Sequence, residues 1–89
     1  MARFEILDVE SASLGHAPVT ADTFYELGMM YSVGHGVAID FITAHKWFNL
    51  SAMRGNSDAI RLRREIADQM SESEIAQALR AARAWLKAS

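Results

Sequence analysis

The chain has no cysteine, and that one absence removes disulfide frameworks, thiolate zinc sites and a cysteine nucleophile together. It also fits a cytoplasmic location, which is the expectation here. There is a single proline, Pro18, which with Ser11, Ser13 and Gly15 breaks any long helix near the N-terminus. No apolar run approaches the roughly 20 residues needed to cross a bilayer, so no membrane span is expected. The opening MARFEILDVE places acids where a signal peptide needs an uninterrupted apolar segment, which argues against export by that route. A strongly basic character is missing as well. The sequence pI is about 5.8, far from the footprint of a nucleic-acid binder.

What is present suits one small globular domain. Of 89 residues, 51% are hydrophobic and 22% charged, which is neither a disordered tail nor a chain long enough for two cores. A domain of this size buries a modest core, so its margin of stability is narrow. The net charge of −2 is unevenly spread: residues 1–44 carry six acids against Arg3, whereas residues 45–89 carry eight Lys or Arg against five acids. An acidic front and a basic back can steer a partner or let two copies meet head to tail.

Residues 1–19 lack a clean period and are expected to form an arm that docks through Phe4 and Ile6, or a leader. Residues 20–89 are expected to form the domain, with helices over about 21–33, 40–54, 57–70 and 72–87. Thr20 is a suitable N-cap, and Phe24, Leu27, Gly28 and Tyr31 fall on one helix face. Gly34 is placed to end this helix in a left-handed conformation, Gly36 eases the loop, and Val37 turns back beneath the helix pair. Asp40 caps the second helix, whose stripe is Phe41, Ala44, His45, Phe48 and Ala52, with Trp47 and Ser51 beside it. Gly55 closes it. Asn56 or Ser57 caps the third helix, with Ala59, Leu62, Ile66 and Met70 inward. Ser71 and Glu74 make a capping box for the fourth, whose expected inner face is Ile75, Leu79, Ala82 and Leu86, with Trp85 at the edge. The fold class is all-α.

Glycines after each helix, a Leu-Gly pair ahead of a tyrosine, and a tryptophan ahead of a small-residue pair resemble the Sel-one-like repeat. That family is a relative of the tetratricopeptide class, with helix–turn–helix repeats of about 36 residues. The matching positions are Leu27, Gly28, Tyr31, Gly34, Gly36, Val37, Asp40, Ala44, Trp47, Ala52, Gly55 and Ala59, with Ser51 where the family often has a further alanine. The match covers residues 23–59. The resemblance implies a short α-α superhelix of antiparallel helix pairs that binds protein. The pattern is not continued, because the positions 36 residues beyond Leu27, Gly28 and Tyr31 hold Arg63, Arg64 and Ala67. The remainder therefore reads as a degenerate half repeat and a capping helix. Solenoids generally need about three repeats to bury a continuous core, so apolar surface is expected to stay uncovered, with Met29, Met30, Phe41 and Met53 as its candidates.

Chemistry is poorly represented. His16, His35 and His45 have no ligand spacing between them, and no metal or cofactor is expected. His45 is expected to pack beside Phe41 or bond a backbone carbonyl. The Gly-His-Gly loop follows no strand and precedes no Lys-Ser/Thr, so helix termination explains it better than phosphate binding. No serine elbow is present, and no catalytic residue is assigned. Arg80, Arg83 and Lys87 form one stripe on the last helix, and Arg61 and Arg64 another on the third, near Arg54. These rows are read as a solvated face or a contact for an acidic protein rather than for nucleic acid. The sequence thus points to a non-catalytic protein–protein interaction module with a protein partner or a second copy. A permanent accessory subunit of a larger complex is the alternative, and a regulator associated with nucleic acid is the remoter one.

Overall fold

The computed structural model describes residues 20–88; the arm expected over residues 1–19 lies outside them. Four helices follow one another: α1 (Ala21–Val33), α2 (Phe41–Met53), α3 (Ser57–Ala67) and α4 (Glu72–Ala88). No strand occurs among the described residues, and the fold is all-α.

Each helix begins where a short polar side chain can accept from an otherwise unpaired backbone amide. Thr20 Oγ1 accepts from Thr23 N at 3.2 Å, Asp40 Oδ1 from Thr43 N at 3.1 Å, and Asn56 Oδ1 from Ala59 N at 3.0 Å. Of the two residues open to capping α3, Asn56 does so. At α4 the box closes in both directions: Ser71 N donates to Glu74 Oε1 at 2.8 Å and Glu74 N to Ser71 Oγ at 3.1 Å. Gly34, at φ +79°, ends α1 and allows its own amide and that of His35 to reach the Met30 carbonyl. The α3 helix is shorter than its apolar period suggests. Beyond Ala67 the chain tightens into i→i+3 bonds, Gln69 N to Ile66 O at 2.9 Å and Met70 N to Ala67 O at 3.0 Å. Met70 still packs inward from this turn.

The chain runs up and down. Asp40 N donates to Tyr31 O at one end of the α1–α2 pair, and Ser51 Oγ donates to Ala21 O at 2.7 Å at the other. Gly28 makes the pairing close: a Cβ there would stand 2.6 Å from the Phe48 ring. The α2 helix packs against all three others. One of its faces, Trp47 and Leu50, joins Phe24 and Leu27 of α1 and Ala82 of α4. The adjacent face, Ala44 and Phe48, joins Ala59 and Ile66 of α3. A helix buried on two adjacent faces needs a wide apolar arc, so one stripe with Trp47 at its side understates it.

The inner face of α4 differs from the periodic expectation. Ala78 and Ala82 are fully buried, Ile75 and Leu79 are half-buried, and Leu86 is exposed. Trp85, expected at the edge, meets the Phe24 ring edge-on at 5.1 Å and Trp47 at 6.1 Å, while Phe24 and Trp47 stack at 5.7 Å. Small alanines at the seam let α4 lie near α2. The helix faces its largest ring onto the aromatic pair, and Leu86 is left exposed.

Candidate interaction surface

Residues of the repeat-like pattern are divided between core and turns. Leu27, Gly28, Ala44, Trp47 and Ala59 are buried. Tyr31 is half-buried and touches both core clusters, Val37 packs beneath the first cluster, and Ala52 packs on the second. Gly34, Gly36 and Gly55 all have positive φ, and Asp40 is the cap of α2. Of these positions, the exposed ones lie in the α1–α2 loop and at Gly55 in the α2–α3 turn.

That loop builds a concave feature of the surface. A cleft of about 520 Å³ opens between Tyr31, the loop residues Val37 and Ile39, the first turn of α2 with Phe41 and Ile42, and Glu74 of α4. Its lining is mostly apolar and includes Asp40 and Glu74. Both carboxylates are fixed by their capping bonds, to Thr43 and Ser71 respectively, so their charge is anchored in place. Ile39 is 59% exposed, as is Val33 at the end of α1. Such a cleft can hold an apolar side chain while presenting negative charge to whatever flanks it.

The other residues expected to face a partner separate into distinct environments. Met29, Met30 and Phe41 are half-buried and packed against the core. Met53 is 60% exposed at the end of α2. Arg80, Arg83 and Lys87 are exposed along one side of α4. Val33, Ile39 and Leu86 complete the exposed large apolar side chains among the described residues, and periodicity did not single out Val33 or Ile39. A signal for Val33 existed, since it falls off the Phe24–Leu27–Tyr31 face. On α3, Arg61 is occupied by Asp58 at 3.8 Å and Glu65 at 3.1 Å, so part of that basic row is neutralised.

His45 is buried, and its Nδ1 has no hydrogen-bond partner. Burial lowers its pKa from the usual imidazole value, and the neighbouring Arg63 guanidinium lowers it further. Arg63 is itself held by Asn49 Oδ1 at 2.6 Å. The unfolded chain takes up a proton at His45 near pH 6.5 while the folded chain resists it, so protons favour unfolding. Stability is therefore expected to fall as pH drops below about 6.5, until the lowered folded pKa is reached. Urea unfolding across this range is expected to lose most of that slope in His45→Gln; an unchanged slope would assign the dependence to other groups. No group of three His, Cys, Asp or Glu side chains converges among the described residues.

No protein-family model, curated protein or solved structure matches the chain.

Proposed function

We propose that this chain is a non-catalytic protein–protein interaction module of the cytoplasm, a small adaptor built on one Sel-one-like helix pair and closed by α3 and α4. The observation that carries this reading is the cleft at the α1–α2 loop. Ile39 stands exposed in a largely apolar concavity whose carboxylates, Asp40 and Glu74, are held by helix caps. Apolar side chains exposed next to a preformed concavity mark an interaction surface more than they mark a reaction site. The repeat assignment is supported by the packing roles of its pattern residues: Gly28 meets Phe48 closely, Trp47 stacks on Phe24, and Asp40 caps α2.

The test is capture of proteins from an extract of the native cell on the immobilised chain, with Ile39→Lys as the comparison. A captured protein that Ile39→Lys loses, at unchanged helicity and melting, is the expected outcome. Capture that is equal for both places the surface elsewhere.

A permanent accessory subunit is the second reading, favoured by exposed apolar side chains at the far end as well, Met53 and Leu86. Solution mass and melting separate the two. A cooperative transition in the isolated chain supports a free adaptor, and aggregation of the isolated chain supports the obligate subunit.

A further inference from the structure

The up-and-down arrangement gives the domain two ends, and both the exposed apolar side chains and the charges divide between them. The loop end gathers the end of α1, the start of α2, the α3–α4 turn and the start of α4. It presents Val33 and Ile39, and among the described residues its acids Asp40, Glu65, Asp68, Glu72 and Glu74 outnumber one base, Arg64 in the last turn of α3, all of them exposed. Residues 30–42 and 66–75 contain no Lys or Arg. The opposite end gathers the start of α1, the α2–α3 turn and the second half of α4. It presents Met53 and Leu86 with Arg80, Arg83 and Lys87 exposed, and Arg54 beside Met53. Among the described residues the acids there are Asp22, in the first turn of α1, and Asp58, which is bound to Arg61.

We propose that copies of this chain associate head to tail, the basic end of one seating Leu86 and its flanking Arg83 and Lys87 against the acidic cleft of the next. The inference rests on the interaction-module reading and names an occupant of its cleft. Charge complementarity selects the second copy. The cleft repels an acidic segment and accepts an apolar side chain flanked by bases, and the last turns of α4 display that combination. Because the two surfaces differ, the contact is heterologous and does not close on itself, so association continues beyond the dimer unless the rotation between copies forms a ring. With four large apolar side chains involved, the contact is weak and strengthened by opposite charge. Raising the salt from about 0.1 M to 1 M shortens the screening length from about 10 Å to 3 Å and is expected to loosen it about tenfold.

Sedimentation of the full chain across a concentration series tests this, using one variant for each end: Ile39→Lys at the acidic end and Leu86→Glu at the basic end. Both positions are exposed, and melting confirms that each variant folds. The unaltered chain is expected to show an average mass that rises past the dimer at low salt. Each variant alone is expected to bind its own kind at least about tenfold more weakly, a loss of about 1.4 kcal/mol. An equimolar mixture is expected to form a heterodimer and stop there, since one basic and one acidic end remain intact. A chain that stays monomeric, or a mixture that fails to pair, overturns the proposal. So does a mass that stops at the dimer for the unaltered chain while both variants associate normally. Should the chain stay monomeric while Ile39→Lys still loses a captured protein, head-to-tail association falls and the interaction-module reading stands.

Discussion

Trp47→Ala is expected to leave the domain largely unfolded at ambient temperature. Trp47 is 1% exposed, stacks on Phe24, meets Trp85 edge-on, and lies on the face of α2 that joins α1 to α4. Truncating a buried tryptophan costs about 3–5 kcal/mol in lost transfer energy and residual cavity. A chain of this length holds only about 4–13 kcal/mol in total, and a core this small places it towards the lower figure. Far-ultraviolet circular dichroism with urea titration checks the result, and emission from the remaining Trp85 should shift towards that of a solvated indole. Trp47→Phe separates packing from polarity. The indole Nε1 has no hydrogen-bond partner in the folded chain, and an unpaired buried donor costs about 1–3 kcal/mol. Removing it offsets part of the lost volume, so the phenylalanine variant is expected to lose far less than the alanine one. Equal losses would contradict the view that Trp47 acts through packing alone.

The second large effect is expected at Gly28, with a sign opposite to helix propensity. Alanine in place of glycine inside an exposed helix stabilises by about 1 kcal/mol. Here the added methyl would stand 2.6 Å from Phe48, whose ring is fully buried and enclosed by α2 and α3 neighbours. Overpacking of that kind costs about 1–3 kcal/mol and outweighs the propensity gain. A net loss of about 1 kcal/mol in a domain of this size lowers the melting temperature by about 4–8 °C. The same substitution in a Phe48→Leu background is expected to be neutral or favourable, because the smaller side chain leaves room for the methyl. The double-mutant cycle should therefore show strong coupling between the two sites. Additive effects would mean that the helices are not in close contact at this point.

These two residues show what kind of information the sequence carried. Gly28, Ala44 and Trp47 were legible as packing positions because their spacing repeats along a helix face. The caps were legible too, since Thr20, Asp40, Asn56 and the Ser71–Glu74 box act on amides within three residues of themselves. Gly34 and Gly55 were legible because a left-handed helix end favours glycine whatever surrounds it. The orientation of α4 was not. Its inner face depends on which ring the Phe24–Trp47 pair accepts, a contact between residues about 40–60 positions apart, and periodicity along α4 fits either Trp85 or Leu86. The end of α3 was likewise hidden, because Met70 packs inward from a turn as well as it would from a helix.

The interaction surface was legible only in part, for the same reason. Methionine and phenylalanine content pointed to Met29, Met30, Phe41 and Met53, but composition does not reveal which side chains α2 and its neighbours cover. Of those, Met53 stands largely exposed, while the others pack against the core. Ile39 gains its importance from the fold, which brings the loop, the start of α2 and Glu74 around one concavity. The uneven charge was visible in the sequence as an acidic half and a basic half. The two ends do not follow those halves: Asp68, Glu72 and Glu74 of the basic half join Asp40 at one end, and α4, which begins there, carries Arg83 and Lys87 to the other.

The central claim is that the α1–α2 loop cleft is a protein-binding surface. Site-specific photo-crosslinking in the native cell tests it most directly, with the photoreactive side chain placed at Ile39 and, as a control, at Gln77, which is exposed on α4. The expected result is a discrete protein adduct from position 39, to another protein or to a second copy of the chain, well above any adduct from position 77. Adduct formation no greater at 39 than at 77 would contradict the claim.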